Sequence, residues 1–243
     1  MRRSLIGIAF LFAAACGADD SPPASASVLL FAGVGASPGD VAAIKKLLGA
    51  SKIDFATASS GQMNRMSPDQ LAAYRLIIMP GGNFEDMGNG LSKEVSAKIR
   101  SAVRGGVNYL GICAGAFIAG DSPYNGINLT EGKRFGFYSI ENLGIRKAAV
   151  RISIVGASPA DHYWEDGPQL SGWGDVVARY PDDTPAVAEA AAGKGFVILT
   201  GIHPEAPESW RRGLSFSTPV SETSAYAVTL IRAALAGEPL PHG

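Results

Sequence analysis

This chain is poor in the residues that metal sites and disulfide frameworks are made of. It has two cysteines and three histidines in 243 residues. Two cysteines cannot build a disulfide scaffold, and the histidines have no second His or Cys at a zinc-ligand spacing. Charge is sparse as well: 18% of residues are Asp, Glu, Lys or Arg, and the formal net charge is -1. Such a chain has no basic field for a nucleic acid or an anionic surface, so no nucleic-acid partner is expected. The apolar stretch Leu5 to Ala15 is shorter than the roughly 20 residues a spanning helix needs. There is no internal repeat and no heptad run. What is abundant is hydrophobic residues, at 47%, with 30 glycines and 15 prolines. That composition suits one folded domain with many tight connections.

The first residues read as an export signal. Arg2 and Arg3 precede the apolar run, and Ala13-Ala14-Ala15 lead into Cys16, as in a bacterial lipobox with alanine at its first position. The expectation is an exported protein of the bacterial envelope, with Cys16 lipidated and holding the chain to the membrane. Plain cleavage, giving a periplasmic or secreted protein, is the runner-up. Residues 17–26 read as a flexible tether, 27–236 as the domain and 237–243 as a polar tail.

Within the domain, strand-like and helix-like segments alternate. Strands are expected at 27–33, 53–58, 75–79 and 107–112, and helices at 38–48, 67–74 and 92–104. This β-α order predicts a parallel sheet covered on both faces. Further on, 186–191 and 196–200 read as an antiparallel pair, and 223–236 as a last amphipathic helix. The segment Asp161 to Asp166 reads as a solvated loop, with His162 on its surface.

Three motifs carry chemistry, and each follows a strand. Gly111-Ile112-Cys113-Ala114-Gly115 is the cysteine form of the turn that lifts a nucleophile out of a parallel sheet. The helix that follows favours the thiolate. His203-Pro204-Glu205 supplies an imidazole base with a carboxylate to orient it. Met79-Pro80-Gly81-Gly82-Asn83 offers backbone N–H groups that can face a developing oxyanion. Asn83, Phe84 and Glu85 fall at the rim of that site by position, whereas Tyr163, Trp164 and Trp173 suit pocket lining and loop packing equally.

In order and spacing these motifs resemble the class I glutamine amidotransferase superfamily, and in phrasing the amidotransferase-like domain at the N-terminus of biotin–protein ligases. The resemblance implies a flavodoxin-like three-layer α/β sandwich, mostly parallel with an antiparallel extension. It implies Cys113 as nucleophile, His203 as base and Glu205 as orienting acid, with backbone donors at Gly81, Gly82 and Ala114. No cofactor and no metal are implied. With no ligase catalytic region after Gly243, no synthetase partner is expected. The expected activity is hydrolysis of a small amide or peptide substrate through a Cys113 thioester, not biotin ligation. The competing expectation is a catalytically silent domain that binds a ligand or protein in the same cleft.

Overall fold

The computed structural model describes residues 26–243, so the segment expected to be an export signal, with Cys16, lies outside the described residues. Strands run at Val28–Phe31 (β1), Phe55–Ala58 (β2), Leu76–Met79 (β3), Asn108–Ile112 (β4), Gly136–Phe137 (β5), Lys147–Ile154 (β6), Ala160–Glu165 (β7), Pro168–Gln169 (β8), Asp175–Arg179 (β9), Pro185–Ala192 (β10) and Gly195–Thr200 (β11). Helices run at Pro38–Ala50 (α1), Ser60–Arg65 (α2), Pro68–Ala72 (α3), Phe84–Gly90 (α4), Lys93–Gly105 (α5), Ala114–Ala119 (α6) and Val220–Ala236 (α7).

One nine-stranded sheet organises the molecule, in the order β2-β1-β3-β4-β11-β10-β9-β6-β7. The first five strands pair in parallel, and the pairs from β11 to β7 are antiparallel. The parallel half therefore has the flavodoxin-like order, with β11 as its fifth strand. Strands β1, β3 and β4 are buried throughout (VLLF, LIIM, NYLGI), as parallel strands covered on both faces must be. One face packs Val41, Ile44 and Leu48 of α1 with Leu230, Ile231 and Ala234 of α7. The other packs Met63, Leu71, Met87, Val95, Ile99 and Ile118 from α2 to α6.

Helix starts follow local chemistry. Ser37 caps α1, with Pro38 in its first turn, and Ser92 caps α5. Ser59 and Ser67 open α2 and α3 through capping boxes with Gln62 and Gln70.

Two features depart from the sequence expectation. The segment read as a solvated loop is β7, paired to β6 along its length. Its His162 and Trp164 are completely buried, because the alternating strand pattern turns His162 inward under α7 beside Tyr226. The glycine-rich stretch after Met79 also opens a helix: the Asn83 side chain accepts from Glu85 N and Asp86 N at the start of α4. No helix among the described residues is long and apolar enough to cross a membrane.

Candidate active site

The carboxyl ends of β3, β4 and β11 deliver the three motifs to one edge of the sheet, where a doubly wound fold places its ligand crevice. At the end of β4, Cys113 takes φ 49° and ψ -103°, a backbone that L-residues rarely adopt. Its neighbours are glycine for steric reasons. A Cβ on Gly111 would stand 2.6 Å from Gly115 O, and one on Gly115 would stand 2.0 Å from Met79 O. Cys113 N donates to Thr200 O, tying the turn to β11, and Tyr109 Oη donates to Gly115 O from below. Cys113 is 4% exposed, and its Sγ donates to Glu165 O at 3.4 Å.

His203 follows β11 and is fixed by a backbone hydrogen bond to Tyr163 O, with the Tyr163 and Trp210 rings edge-on to its own. Its Nδ1 lies 2.9 Å from Glu205 Oε1, in hydrogen-bonding geometry, and 3.0 Å from Asp40 Oδ1. His203 Nε2 is buried and free of any hydrogen bond within the described residues, which leaves the ring edge needed by a base available. Burial opposes charge on His203, yet Cys113, Glu205 and Asp40 outweigh it and hold the ring well above its ordinary value of 6.5.

Asp40 is the residue that sequence reading missed. It sits in the first turn of α1, where an acidic residue ordinarily complements the helix dipole. Nothing in its spacing points to a histidine 163 positions away. Only the shape of α1, starting beside the Gly81-Gly82 turn, brings it there: a Cβ on Gly81 would meet Asp40 Oδ1 at 2.3 Å and His203 Cε1 at 2.5 Å. Burial pushes Glu205 up to about 7 despite the pull of His203, with Asp40 adding to the rise. Burial would raise Asp40 too, but His203 and Ser37 more than reverse it, and Asp40 falls below 3.8. The donor atoms of Asp40, His203 and Glu205 lie within 4.8 Å of one another, a set that could hold a cation only if Nδ1 gave up its proton and its hydrogen bond to Glu205.

The expected oxyanion donors lie at this edge. Gly82 lines the cleft at φ 143°, and Gly81 packs behind it against His203. Among the described residues, neither Gly82 N nor Ala114 N donates to a backbone carbonyl. The cleft itself has a volume of about 480 Å³. Phe84, Phe117 and Phe137 make one wall, with Phe84 and Phe117 stacked at 4.5 Å and Phe137 edge-on to both. Arg146, Glu165 and Asp166 also line it, together with Asn83 and Glu85. Arg146 is paired with Glu141 and with Asp166. Tyr163, Trp164 and Trp173 do not line the cleft: Trp164 is core and Trp173 packs on Phe135.

The sheet order and the layout of its edge are those of a glutamine amidotransferase-like α/β fold. Within that class, residues 26–124 match the family described as biotin-protein ligase, N terminal. A curated relative, the biotin--protein ligase of Schizosaccharomyces pombe, is 30% identical over 165 residues, which is 55% of this chain. The chain spans only 26% of that relative's length. Among solved structures, a glutamine amidotransferase superposes with a TM-score of 0.52 at 18% identity, covering 82% of this chain and 99% of its own. Gan42B, a GH42 beta-galactosidase from G. stearothermophilus, superposes at 0.51 with 14% identity, over 88% of this chain and 31% of its own. At these identities the structures speak for the fold alone, and the fold is carried by proteins of unrelated chemistry.

Proposed function

We propose that the chain is a cysteine-dependent amide hydrolase that works through a Cys113 thioester, with His203 as base and acid. The observation that carries this reading is Cys113 itself: a thiol on a strained turn, in a cleft shared with a carboxylate-backed imidazole that has a free Nε2. In the reaction, His203 Nε2 takes the Sγ proton and sulfur attacks the amide carbon. Backbone N–H groups at Gly82 and Ala114 meet the oxyanion. His203 then protonates the departing amine, and water, deprotonated by the same nitrogen, releases the acid.

The walls of the cleft favour peptidyl amides over free glutamine. Phe84, Phe117 and Phe137 suit an apolar substituent on the acyl group. Glu85, Glu165 and Asp166 outnumber Arg146, whose guanidinium is already paired, so an α-carboxylate gains little there. The competing reading, a silent binding domain, draws on Cys113 Sγ donating to a carbonyl rather than to His203. A panel of peptidyl, γ-glutamyl and cell-wall amides separates the two. Turnover by wild type, lost by at least about 100-fold in Cys113→Ser with an unchanged fold, is expected. Equal turnover in both proteins would end the thioester reading.

The same proposal places the protein outside the cytoplasm, tethered through Cys16. Mass spectrometry of the mature N-terminus should find an acylated Cys16; an unmodified start there, or a start beyond it, would end the anchored form.

A further inference from the structure

Beside His203 stands one carboxylate more than a Cys-His-Glu set needs, and both carboxyl side chains there are buried. Asp40 is 4% exposed and Glu205 3%. Glu205 Oε1 accepts from His203 Nδ1 at 2.9 Å. Asp40 Oδ1 stands 3.0 Å from the same nitrogen, but no donor among the described residues aims a hydrogen bond at it, nor at Glu205 Oε2. The two side chains nevertheless come close, with a carboxylate oxygen of each within 4.8 Å of the other's. Two buried carboxylates this close resist ionising together, because their repulsion is poorly screened and costly to desolvate. A single proton between them resolves both orphaned oxygens at once.

We propose that Asp40 is a positioning residue that carries the negative charge behind His203, while Glu205 is neutral, accepting Nδ1–H on Oε1 and donating its own proton from Oε2 to Asp40. The inference rests on the Cys113–His203 reading above and changes which acid does the electrostatic work in it. The assignment of the proton follows the surroundings: burial raises Glu205 to about 7, whereas His203 and the Ser37 hydroxyl favour ionised Asp40. When the Cys113 proton moves to His203 Nε2, the imidazolium keeps Nδ1–H on Glu205, and Asp40 supplies the counter-charge through that bond. No proton leaves the acid pair. The other titratable groups around the pair are Cys113, Tyr163 and Glu165 of β7, and Arg146 and Asp166 of the same cleft.

The amide of glutamine has the same acceptor and donor pattern as a neutral glutamic acid, which makes Glu205→Gln the diagnostic change. In Asp40→Asn the remaining Glu205 ionises in place of the lost charge, so one negative charge persists. Only Asp40→Asn/Glu205→Gln removes it. Iodoacetamide alkylation of Cys113 from pH 5 to 9, with Cys113→Ala as the blank for Cys16, reads the thiolate–imidazolium pair without any substrate. Glu205→Gln is expected within about threefold of wild type, and the double variant at least about tenfold slower at pH 7, a non-additive pattern. Glu205→Gln as slow as the double variant would overturn the assignment and return the charge to Glu205.

An infrared measurement makes the test independent of thiol reactivity. Wild type at pH 6 should show the carbonyl band of a buried protonated carboxyl, and Glu205→Gln and Asp40→Asn should each lose it. No such band in wild type would overturn the shared proton. A band present with Cys113 no faster than a free thiol would leave the acid pair standing and instead sink the proposed hydrolase. Circular dichroism and melting curves confirm that each variant is folded.

Discussion

Cys113 holds a non-glycine residue at φ 49° and ψ -103°, and that conformation has a stability cost that the surrounding structure must offset. Strained backbone of this kind costs roughly 1–3 kcal/mol. Gly111 and Gly115 let α6 approach closely enough to impose it, and Cys113 N to Thr200 O locks it. Truncating the side chain back to Cβ therefore should not relieve the strain, whereas removing Cβ should. Cys113→Gly is expected to be more stable than Cys113→Ala by about 1 kcal/mol, the relief exceeding glycine's extra unfolded-state entropy of roughly 0.5–1 kcal/mol. Denaturant midpoints of the two variants check this. A glycine variant no more stable than the alanine one would mean that the turn stores no more strain than glycine's entropy costs. At this scale the sequence was most legible where a reactive residue type follows a strand with glycine close by, which is how Cys113 and His203 came to be placed at the sheet edge. Asp40 was illegible because its role comes from where the first turn of α1 lands, and a first-turn aspartate already has an ordinary explanation in the helix dipole.

Elements were legible in proportion to their periodicity and punctuation. The strands that deliver the motifs are short buried runs bounded by glycine or proline, and they lie within a residue or two of their expected bounds. The pair β10–β11 is antiparallel as its Gly193-Lys194-Gly195 connection implies. The misreading of β7 has a definite cause. Asp161, His162, Glu165 and Asp166 look solvated in one dimension, yet in a strand they alternate. Asp161 is held at the edge by Ser217, Thr218 and Arg151, and His162 and Trp164 go inward. That strand matters for the site, because its Tyr163 backbone fixes His203 and its Glu165 carbonyl receives the Cys113 thiol. Helix α4 was hidden by its own glycines: Gly88 and Gly90 lower helix propensity, but a Cβ at Gly88 would collide with Tyr124 O at 1.8 Å. Packing against the loop after α6 required the residue that made the helix hard to see. Gly82 likewise serves two ends, since a side chain there would meet Gly35 O at 2.0 Å. A bulky substitution at Gly82 would consequently break the β1–α1 connection before it reported on an oxyanion donor.

For the whole molecule, the buried titratable groups set how stability responds to acid. His162 is completely buried, neither ring nitrogen has a hydrogen bond among the described residues, and burial together with the Arg211 charge lowers it from 6.5 to about 3. Below pH 6.5 the unfolded chain binds a proton there that the folded chain refuses, so acid destabilises. By pH 4.5 the loss is on the order of 2–3 kcal/mol, at about 1.4 kcal/mol for each unit of gap. Glu205 acts in the opposite direction. Raised to about 7 from 4.5, it stays protonated in the folded state while the unfolded chain ionises, so stability recovers as pH falls from 7 to 4.5. That gain is on the order of 3 kcal/mol. The two contributions nearly cancel between pH 6.5 and 4.5. Below 4.5 the glutamate has nothing more to give, His162 continues to cost stability down to about 3, and from 3.8 downward the contribution of Asp40, ionised against His203, is lost as the unfolded chain takes up its proton. The expected profile is a plateau from pH 6.5 to 4.5 and a steep fall beneath it. Replacing the unpartnered ring in His162→Leu removes one side of the balance, and the variant should then gain stability on acidification from pH 6.5 to 4.5 where wild type stays level. Chemical denaturation at a series of pH values decides it: parallel curves for the two proteins would show that His162 does not govern the acid response.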